Sequence, residues 1–296
     1  MSRAAVVVNP TKLDDDEGFR IAVLAAMAGR GWSEPLWLET TADDPGEEQT
    51  RTALRAGVDL VLACGGDGTV AACAAVMAGT GIPLAVLPSG TGNLLARNLG
   101  LPPGLDDALV VALTGSDRKL DVGNANGRSF VVMAGLGFDA KMLASTSGRL
   151  KKRVGWAAYG FSALRHLRDR TMRVTVRADD GPPVRRRASG VIIGNVGWLQ
   201  GGVPLLPDAE PDDGWLDVVV LTARGLASWL ALAAHVLLRR RLSDRVLRMA
   251  FRELRVDVDR QQLWELDGEV IGRTRQLVIS VQAGTLTIRV PPAIAT

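Results

Sequence analysis

Short apolar, β-branched runs alternate with longer amphipathic stretches over roughly the first 120 residues. The runs at 4–8, 36–38, 58–63 and 84–87 predict strands. The stretches at 18–28, 47–55, 70–77 and 94–99 predict helices, the last two opening directly after glycine-rich turns. Apolar strands interleaved with helices read as a parallel sheet with crossover helices, an α/β layer fold. Beyond about residue 121 the texture changes. Runs at 119–124, 129–134, 172–177, 189–196, 216–221, 254–258, 276–281 and 285–290 follow closely, many separated by turns such as Asn126-Gly127, Asp180-Gly181-Pro182-Pro183 and Ala283-Gly284. This predicts an antiparallel β-sandwich, interrupted by helical stretches near 139–168 and 226–238. The change divides the chain into a first domain, 1–121, and a second, 122–296.

A chain of 296 residues, 47% hydrophobic, is long enough for two separate cores. With 35 basic against 32 acidic residues its net charge is +3, which argues against a general polyanion binder and leaves nucleic acid out of the expected partners. Cys64 and Cys73 lie within apolar stretches, without CxxC spacing or a nearby His, so neither a zinc site nor a disulfide framework is expected. Pro10 follows only five apolar residues, too few for the core of a signal peptide. No apolar run reaches the roughly 20 residues that span a bilayer. The expectation is a cytoplasmic protein that touches membranes peripherally, at the inner surface.

The densest chemical signal is Gly65-Gly66-Asp67-Gly68-Thr69, placed where a predicted strand ends and a helix begins. Glycines there let backbone N–H groups turn onto an anion, and the helix adds its positive N-terminal end, so phosphate is the natural ligand. Asp67 would repel phosphate unless it binds Mg2+ or accepts a hydroxyl proton. A second glycine turn, Pro88-Ser89-Gly90-Thr91-Gly92-Asn93, follows the next strand, and Asn9-Pro10-Thr11-Lys12 ends the first. All three belong to the carboxyl edge of a parallel sheet, where such folds bind ligands. The P-loop, GxSxG and HExxH patterns are absent, and His166 and His235 fall within apolar helices, so acid–base chemistry is left to carboxylates. Asp267-Gly268-Glu269 sets two carboxylates on one turn after the short apolar run 263–266, which suits a general base and equally a solvated hairpin. The stretch 207–217 packs five acidic residues around a turn, the donor chemistry of a hard cation such as Mg2+ and also of a solvated loop.

In this order, Asn9-Pro10, GGDGT at 65–69, Gly90-Thr91-Gly92-Asn93, Asp213-Gly214-Trp215-Leu216-Asp217 and Asp267-Gly268-Glu269 resemble the diacylglycerol kinase catalytic-domain family, specifically its soluble bacterial lipid kinases. The resemblance covers nearly the whole chain. It implies a three-layer α/β nucleotide-binding domain like those of NAD kinases and phosphofructokinases, then a β-sandwich, with ATP and substrate meeting in the cleft between them. By similarity Asn9, Pro10, Thr11 and Lys12, the run Gly65, Gly66, Asp67, Gly68, Thr69, Val70 and Ala71, and Gly90, Thr91, Gly92 and Asn93 would hold ATP, with Thr41 adding a hydroxyl. Asp67 would take part in catalysis, and Asp267 or Glu269 would accept the proton. Mg2+ would bind Asp213 and the main-chain carbonyls of Glu210 and Trp215, a second Mg2+ arriving with ATP. The chain departs from the family pattern at Thr11-Lys12-Leu13, where many members have Ser-Gly, and at Ala71-Ala72 in place of Asn-Glu. Leu94 stands where Asp is common.

The resemblance implies transfer of the ATP γ-phosphoryl group to a membrane lipid hydroxyl, most directly diacylglycerol giving phosphatidic acid. Two alternatives remain at this point: a soluble-metabolite kinase of the NAD kinase or phosphofructokinase type, and a nucleotide-binding member with impaired catalysis. Membrane contact would come from 226–238 with Arg239-Arg240-Arg241, or from Lys151-Lys152-Arg153 beside Trp156 and Tyr159. Assembly into a homodimer is left open.

Overall fold

The computed structural model of the chain describes residues 2–137, 171–199, 203–222 and 246–292. The helices predicted at 139–168 and 226–238, both histidines and both basic clusters lie outside these residues. The chain divides into two units, Met1–Val122 with Ala283–Thr296, and Gly123–Gln282. The division assigns the last segment to the first unit, whereas the change of texture along the sequence placed it in the second.

In the first unit, β1 (Ala4–Val8), β2 (Leu36–Glu39), β3 (Leu60–Gly65) and β4 (Leu84–Pro88) form a parallel sheet in the order β2-β1-β3-β4. Ile288, near the end of the chain, pairs in parallel with Leu84 on the outer side of β4. Strands β1 and β3 are buried along their whole length, as a sheet covered on both faces requires. One face, carrying Val6, Val8, Leu60, Leu62 and Leu87, packs on α1 (Asp16–Ala28) and α5 (Leu105–Thr114) through Phe19, Val23, Met27, Leu109 and Leu113. Helices α2 (Glu47–Arg55) and α3 (Asp67–Met77) pack on each other and on β1 and β3. A short α4 (Leu94–Asn98) follows β4. The first unit is therefore the predicted α/β layer fold, with α5 an addition that the sequence reading lacked.

The second unit is the predicted β-sandwich, and most of its pairing is antiparallel. The strands after β4 are β5 (Ser116–Ala125), β6 (Arg128–Phe130), β7 (Met133–Gly137), β8 (Met172–Ala178), β9 (Val184–Ala188), β10 (Gly190–Gly194), the two-residue pair β11 (Trp198–Leu199) and β12 (Val203–Pro204), β13 (Leu216–Leu221), β14 (Val246–Phe251), β15 (Glu253–Leu266) and β16 (Glu269–Val290). One layer runs β14-β13-β10-β7 and is joined by 264–266 of β15. The other pairs β9 with β8, and β8 with 254–258 of β15. Strand β15 thus passes from one layer to the other across a register shift between Asp257 and Gln262, a recurrent way of turning a sandwich corner. Phe130, Leu136, Val174, Val191, Val218, Phe251, Val256 and Ile279 lie in the core between the layers.

Three boundaries differ from the reading of the sequence. The runs 254–258 and 263–266 are two halves of one strand, because the polar residues between them occupy the bend. The run 129–134 is two strands, β6 and β7, with residues 131–132 held by side chains described below. The turn expected at Ala283-Gly284 lies inside β16, where Gly284 takes a positive φ of 61° and donates its N–H to Asp121 Oδ1 at 2.7 Å.

Candidate active site

Four loops leave the carboxyl edge of the parallel sheet, one after each of β1 to β4. After β1, the Asn9 carboxamide oxygen accepts from the Thr11 N–H at 3.1 Å and from its hydroxyl at 2.7 Å, closing a single 3-10 turn, Pro10–Lys12. The Asn9 N–H reaches Cys64 on β3, and Ser89 donates to Gly65, so adjacent loops are tied where they leave the sheet. After β2, exposed Thr41 accepts the Asp44 N–H on its hydroxyl at 3.1 Å, and Asp44 in turn caps α2 at Gly46, Glu47 and Glu48. Thr41 therefore stands on this edge just past the end of β2, whose pairing with β1 the Thr40 N–H extends by its bond to the Val8 carbonyl.

The two glycine loops are in direct contact. A Cβ on Gly90 would stand 2.6 Å from Gly66 Cα, so there backbone meets backbone where a side chain could not fit, and the Lys12 side chain lies alongside, its Cε 4.0 Å from the Cβ position of Gly66. Asp67, the first residue of α3, joins them: its Oδ2 accepts the Asn93 N–H at 3.0 Å and its Oδ1 the Leu94 N–H at 2.5 Å. A Cβ on Gly92 would fall 2.2 Å from Asp67 Oδ2, which accounts for the second glycine of that loop. Asn93, in the left-handed region at φ 49°, folds its own side chain back on Gly90, accepting its N–H at 3.0 Å and donating to its carbonyl at 2.8 Å.

Asp67 therefore has a bond partner that motif reading did not supply. Its two oxygens clamp the start of α4, and the carboxylate stabilises that turn as an anion at a helix N-terminus. The first N–H groups of α3 have no carbonyl one turn back to accept them, and Gly68 has no neighbour within 4 Å of its Cβ position, so this end of the helix is open to an anion. Thr69 and Val70 are buried, and a Cβ on Gly65 would meet the Thr69 side chain at 2.7 Å. Thr69 can offer an anion its backbone only, and the Val70 N–H is already taken by the Gly66 carbonyl at 3.1 Å.

In the second unit, Asp267 and Gly268 form a two-residue hairpin turn between β15 and β16, with φ of 47° and 88° as a type I′ turn demands. Asp267 Oδ1 accepts the N–H groups of Val132 at 2.8 Å and Met133 at 2.9 Å, and Oδ2 that of Val131 at 2.9 Å. The same segment is gripped from behind by Asn195, which is buried and donates to the Val131 and Val132 carbonyls. Glu265 is fully buried and accepts the Gly268 N–H at 2.8 Å. Glu269 opens β16 and is exposed. The two carboxylates of the motif thus differ: Asp267 is a structural acceptor for three donors, whereas Glu269 faces solvent. Nothing in the sequence marks Asn195 or the Val131–Met133 segment, because Asn195 meets that segment, and the segment meets Asp267, across more than sixty residues of chain.

The acidic turn is shaped by Asp213, whose Oδ1 accepts the Trp215 N–H at 2.8 Å, and by Gly214 at φ 80°. Glu210 and Asp213 are exposed. Four residues beyond Asp213, burial pushes the Asp217 carboxyl up to about 6, helped by the charges of Asp213 and Asp208 and opposed by Arg248. A cavity of about 130 Å³ lies there, lined by Asp208, Asp217 and Arg248 among others. Among the described residues no group of three or more His, Cys, Asp or Glu side chains is placed to hold a metal ion, and a site of one carboxylate with main-chain carbonyls is not of that kind. No helix among the described residues is long and apolar enough to cross a membrane.

With this geometry in hand, comparison with known proteins is informative. Residues 3–125 match the diacylglycerol kinase catalytic domain, and residues 130–290 match the YegS C-terminal NAD kinase beta sandwich-like domain. The "Probable lipid kinase YegS-like" of Pseudomonas syringae pv. tomato is 35% identical over 225 residues, 75% of this chain and 72% of that protein. The diacylglycerol kinase of Bacillus subtilis (strain 168) is 28% identical over 282 residues, 92% and 91% of the two chains. The crystal structure of a diacylglycerol kinase from Bacillus anthracis str. Sterne superposes with a TM-score of 0.78 at 25% identity, covering 99% of this chain and 98% of the other.

Proposed function

The chain belongs to the diacylglycerol kinase catalytic-domain family, kinases that phosphorylate an alcohol, and from that premise we propose that it transfers the γ-phosphoryl group of ATP to the hydroxyl of a membrane lipid, with diacylglycerol the acceptor and phosphatidic acid the product. The observation that carries the reading is the pair of glycine loops clamped by Asp67 beside the open N-terminus of α3, a backbone cradle suited to a polyphosphate. The lipid acceptor is supported by the relatives named as lipid and diacylglycerol kinases.

In phosphoryl transfer the protein mainly positions the reactants and neutralises charge. Asn9 to Lys12, Thr41, Gly65 to Ala71 and Gly90 to Asn93 form the nucleotide site, Lys12 supplying a cation and Gly66, Gly68 and Gly92 their N–H groups, that of Gly90 being held by Asn93. Asp67 acts by holding the second loop against the first. The lipid hydroxyl oxygen bonds to the γ-phosphorus as the bond to the bridging oxygen of ADP breaks, and the hydroxyl proton passes to a carboxylate. Glu269 suits that role, because three of the roughly four acceptor positions of Asp267 are already taken by backbone N–H groups. Asp267 positions Glu269 by fixing the hairpin turn next to it.

Asp213 is exposed on a tight turn with Gly214 at φ 80°, and its carboxylate with the carbonyls of Glu210 and Trp215 supplies the hard oxygen donors that Mg2+ takes. Bound there, Mg2+ would neutralise the turn, while Mg2+ carried by ATP would offset charge on the transferred group. The activity is tested by incubating the protein with γ-labelled ATP and, separately, dispersed diacylglycerol, whole lipid extract, NAD and simple sugars. Label migrating as phosphatidic acid is the expected result. Label on NAD or a sugar, with none on lipid, would point to the soluble-metabolite class instead.

A further inference from the structure

The outward face of β8, β9 and the first half of β15 carries arginines for which phosphoryl transfer has no use. Alternation along β8 buries Met172, Val174 and Val176, so Arg173, Thr175 and Arg177 point outward. Register extends that face in both directions: Arg187 lies opposite Arg173, Arg185 opposite Thr175, and Arg255 opposite Arg177. Val278 of β16, half exposed, lies opposite Arg255. All five of these arginines are exposed. The carboxylates sharing the face are Glu253, Asp257, bonded to Arg255 at 2.9 Å and to Gln276 at 2.7 Å, and Asp259, all outward residues of β15 and fewer than the arginines.

Like charges directly opposite each other on neighbouring strands destabilise a sheet. The Arg173 and Arg187 pair is of that kind. Strand β9 pairs only with β8 among the described strands, and a charge on an edge strand guards against edge-to-edge association. That explains Arg186, which is exposed although it stands opposite buried Val174. It does not explain arginines facing one another, nor Arg177 and Arg255 on strands already paired on both sides. A flat array of guanidinium groups with a surplus over carboxylates fits an extended layer of anionic headgroups. No aromatic residue is interleaved to stack on bases, as a single-stranded nucleic-acid platform would require.

We propose that this arginine face docks the second unit on an anionic lipid bilayer. The inference rests on the reading that the acceptor is a membrane lipid, since an enzyme with such a substrate gains from being held at the surface that contains it. Each basic residue brought to an anionic surface strengthens binding about fivefold, so exchanging one for a carboxylate, a change of two charges, should be readily measured.

The test is co-sedimentation of the full chain with vesicles of phosphatidylcholine alone and of phosphatidylcholine with one third phosphatidylglycerol. Binding only to the anionic vesicles, weakening with added salt, is the expected result. R173E should bind these vesicles at least tenfold more weakly, yet melt no lower than the parent chain, because a carboxylate at that position would attract Arg187 instead of repelling it; R173K should bind normally. Phosphate transfer to diacylglycerol dispersed in a neutral detergent should be unchanged in R173E. Equal sedimentation of R173E and the parent chain would overturn the proposal, as would tighter binding to a single-stranded oligonucleotide than to the vesicles. Absence of transfer to any dispersed lipid by the parent chain would overturn the acceptor reading instead, while sedimentation, which needs no turnover, still decides the face.

Discussion

Two aspartates of this chain, Asp67 and Asp267, spend their oxygens on backbone N–H groups rather than holding them out for chemistry. An amide at either place turns one acceptor into a donor aimed at a donor, which costs about 1–3 kcal/mol where the site is shielded. For D67N we expect ATP binding to weaken about tenfold or more, in EDTA as well as in Mg2+, as read by titration with a fluorescent ATP analogue. A loss seen only with Mg2+ would make Asp67 a metal ligand instead of a clamp. For the hairpin, E269Q should lower kcat by about 10²–10⁴ with little change in KM for ATP and in melting temperature. D267N should lower melting temperature and kcat together. The motif residues were legible in the sequence as a group, but their division of labour was not. It depends on Asn93, Leu94 and the Val131–Met133 segment, which lie 26 or more residues away along the chain.

At the scale of elements, the strands and helices legible beforehand were those whose apolar pattern was uninterrupted. Strands β1 and β13 and helix α2 occupy the spans their pattern predicted. Strand β9 was not foreseen, because Arg185, Arg186 and Arg187 leave no alternation to see, and its place follows from pairing with β8. Helix α5 was missed because consecutive valines, Val110 and Val111, suit a strand as well as a helix. The break in β15 falls where the layers exchange, a tertiary feature without a local signature. The apolar run of β3 and the first turns of α3 have a further consequence. Burial pushes the Cys64 thiol well above its usual range, with Cys73 adding to it, and pushes the Cys73 thiol up to about 12. At pH 8 about one Cys73 in 10⁴ would be thiolate, so a thiol-exchange reagent should leave the folded protein unlabelled and titrate two thiols in denaturant. Rapid labelling without denaturant would mean that α3 opens locally from the sheet.

For the molecule as a whole, the change of texture near residue 121 showed two bodies of different architecture, because a parallel sheet and a sandwich distribute their apolar residues differently. The partition of charge was less legible: a net charge of +3 hides an acidic turn and an arginine face within one unit. If the turn holds Mg2+, millimolar Mg2+ should raise the melting temperature measured in EDTA, by the equivalent of about 2.7 kcal/mol when the ion is at a hundred times its Kd. D213N should abolish that rise, and an equal rise in both proteins would place the ion elsewhere. The texture did not show that the chain returns. The last strand pairs Ile288 with Leu84, Thr285 accepts the Gly79 N–H, and Arg289 bonds Asp117 at 2.9 Å, all within the first unit. This has a consequence for synthesis on the ribosome. The first unit emerges early, yet the outer side of β4 has no partner until residues near 288 have been made. At roughly 5–20 residues per second, the 200 or so residues between β4 and Ile288 leave that edge open for about 10–40 s. The α/β unit is thus begun before the sandwich is translated and completed after it, so a ribosome that stalls in the second unit would release a chain with an uncovered sheet edge.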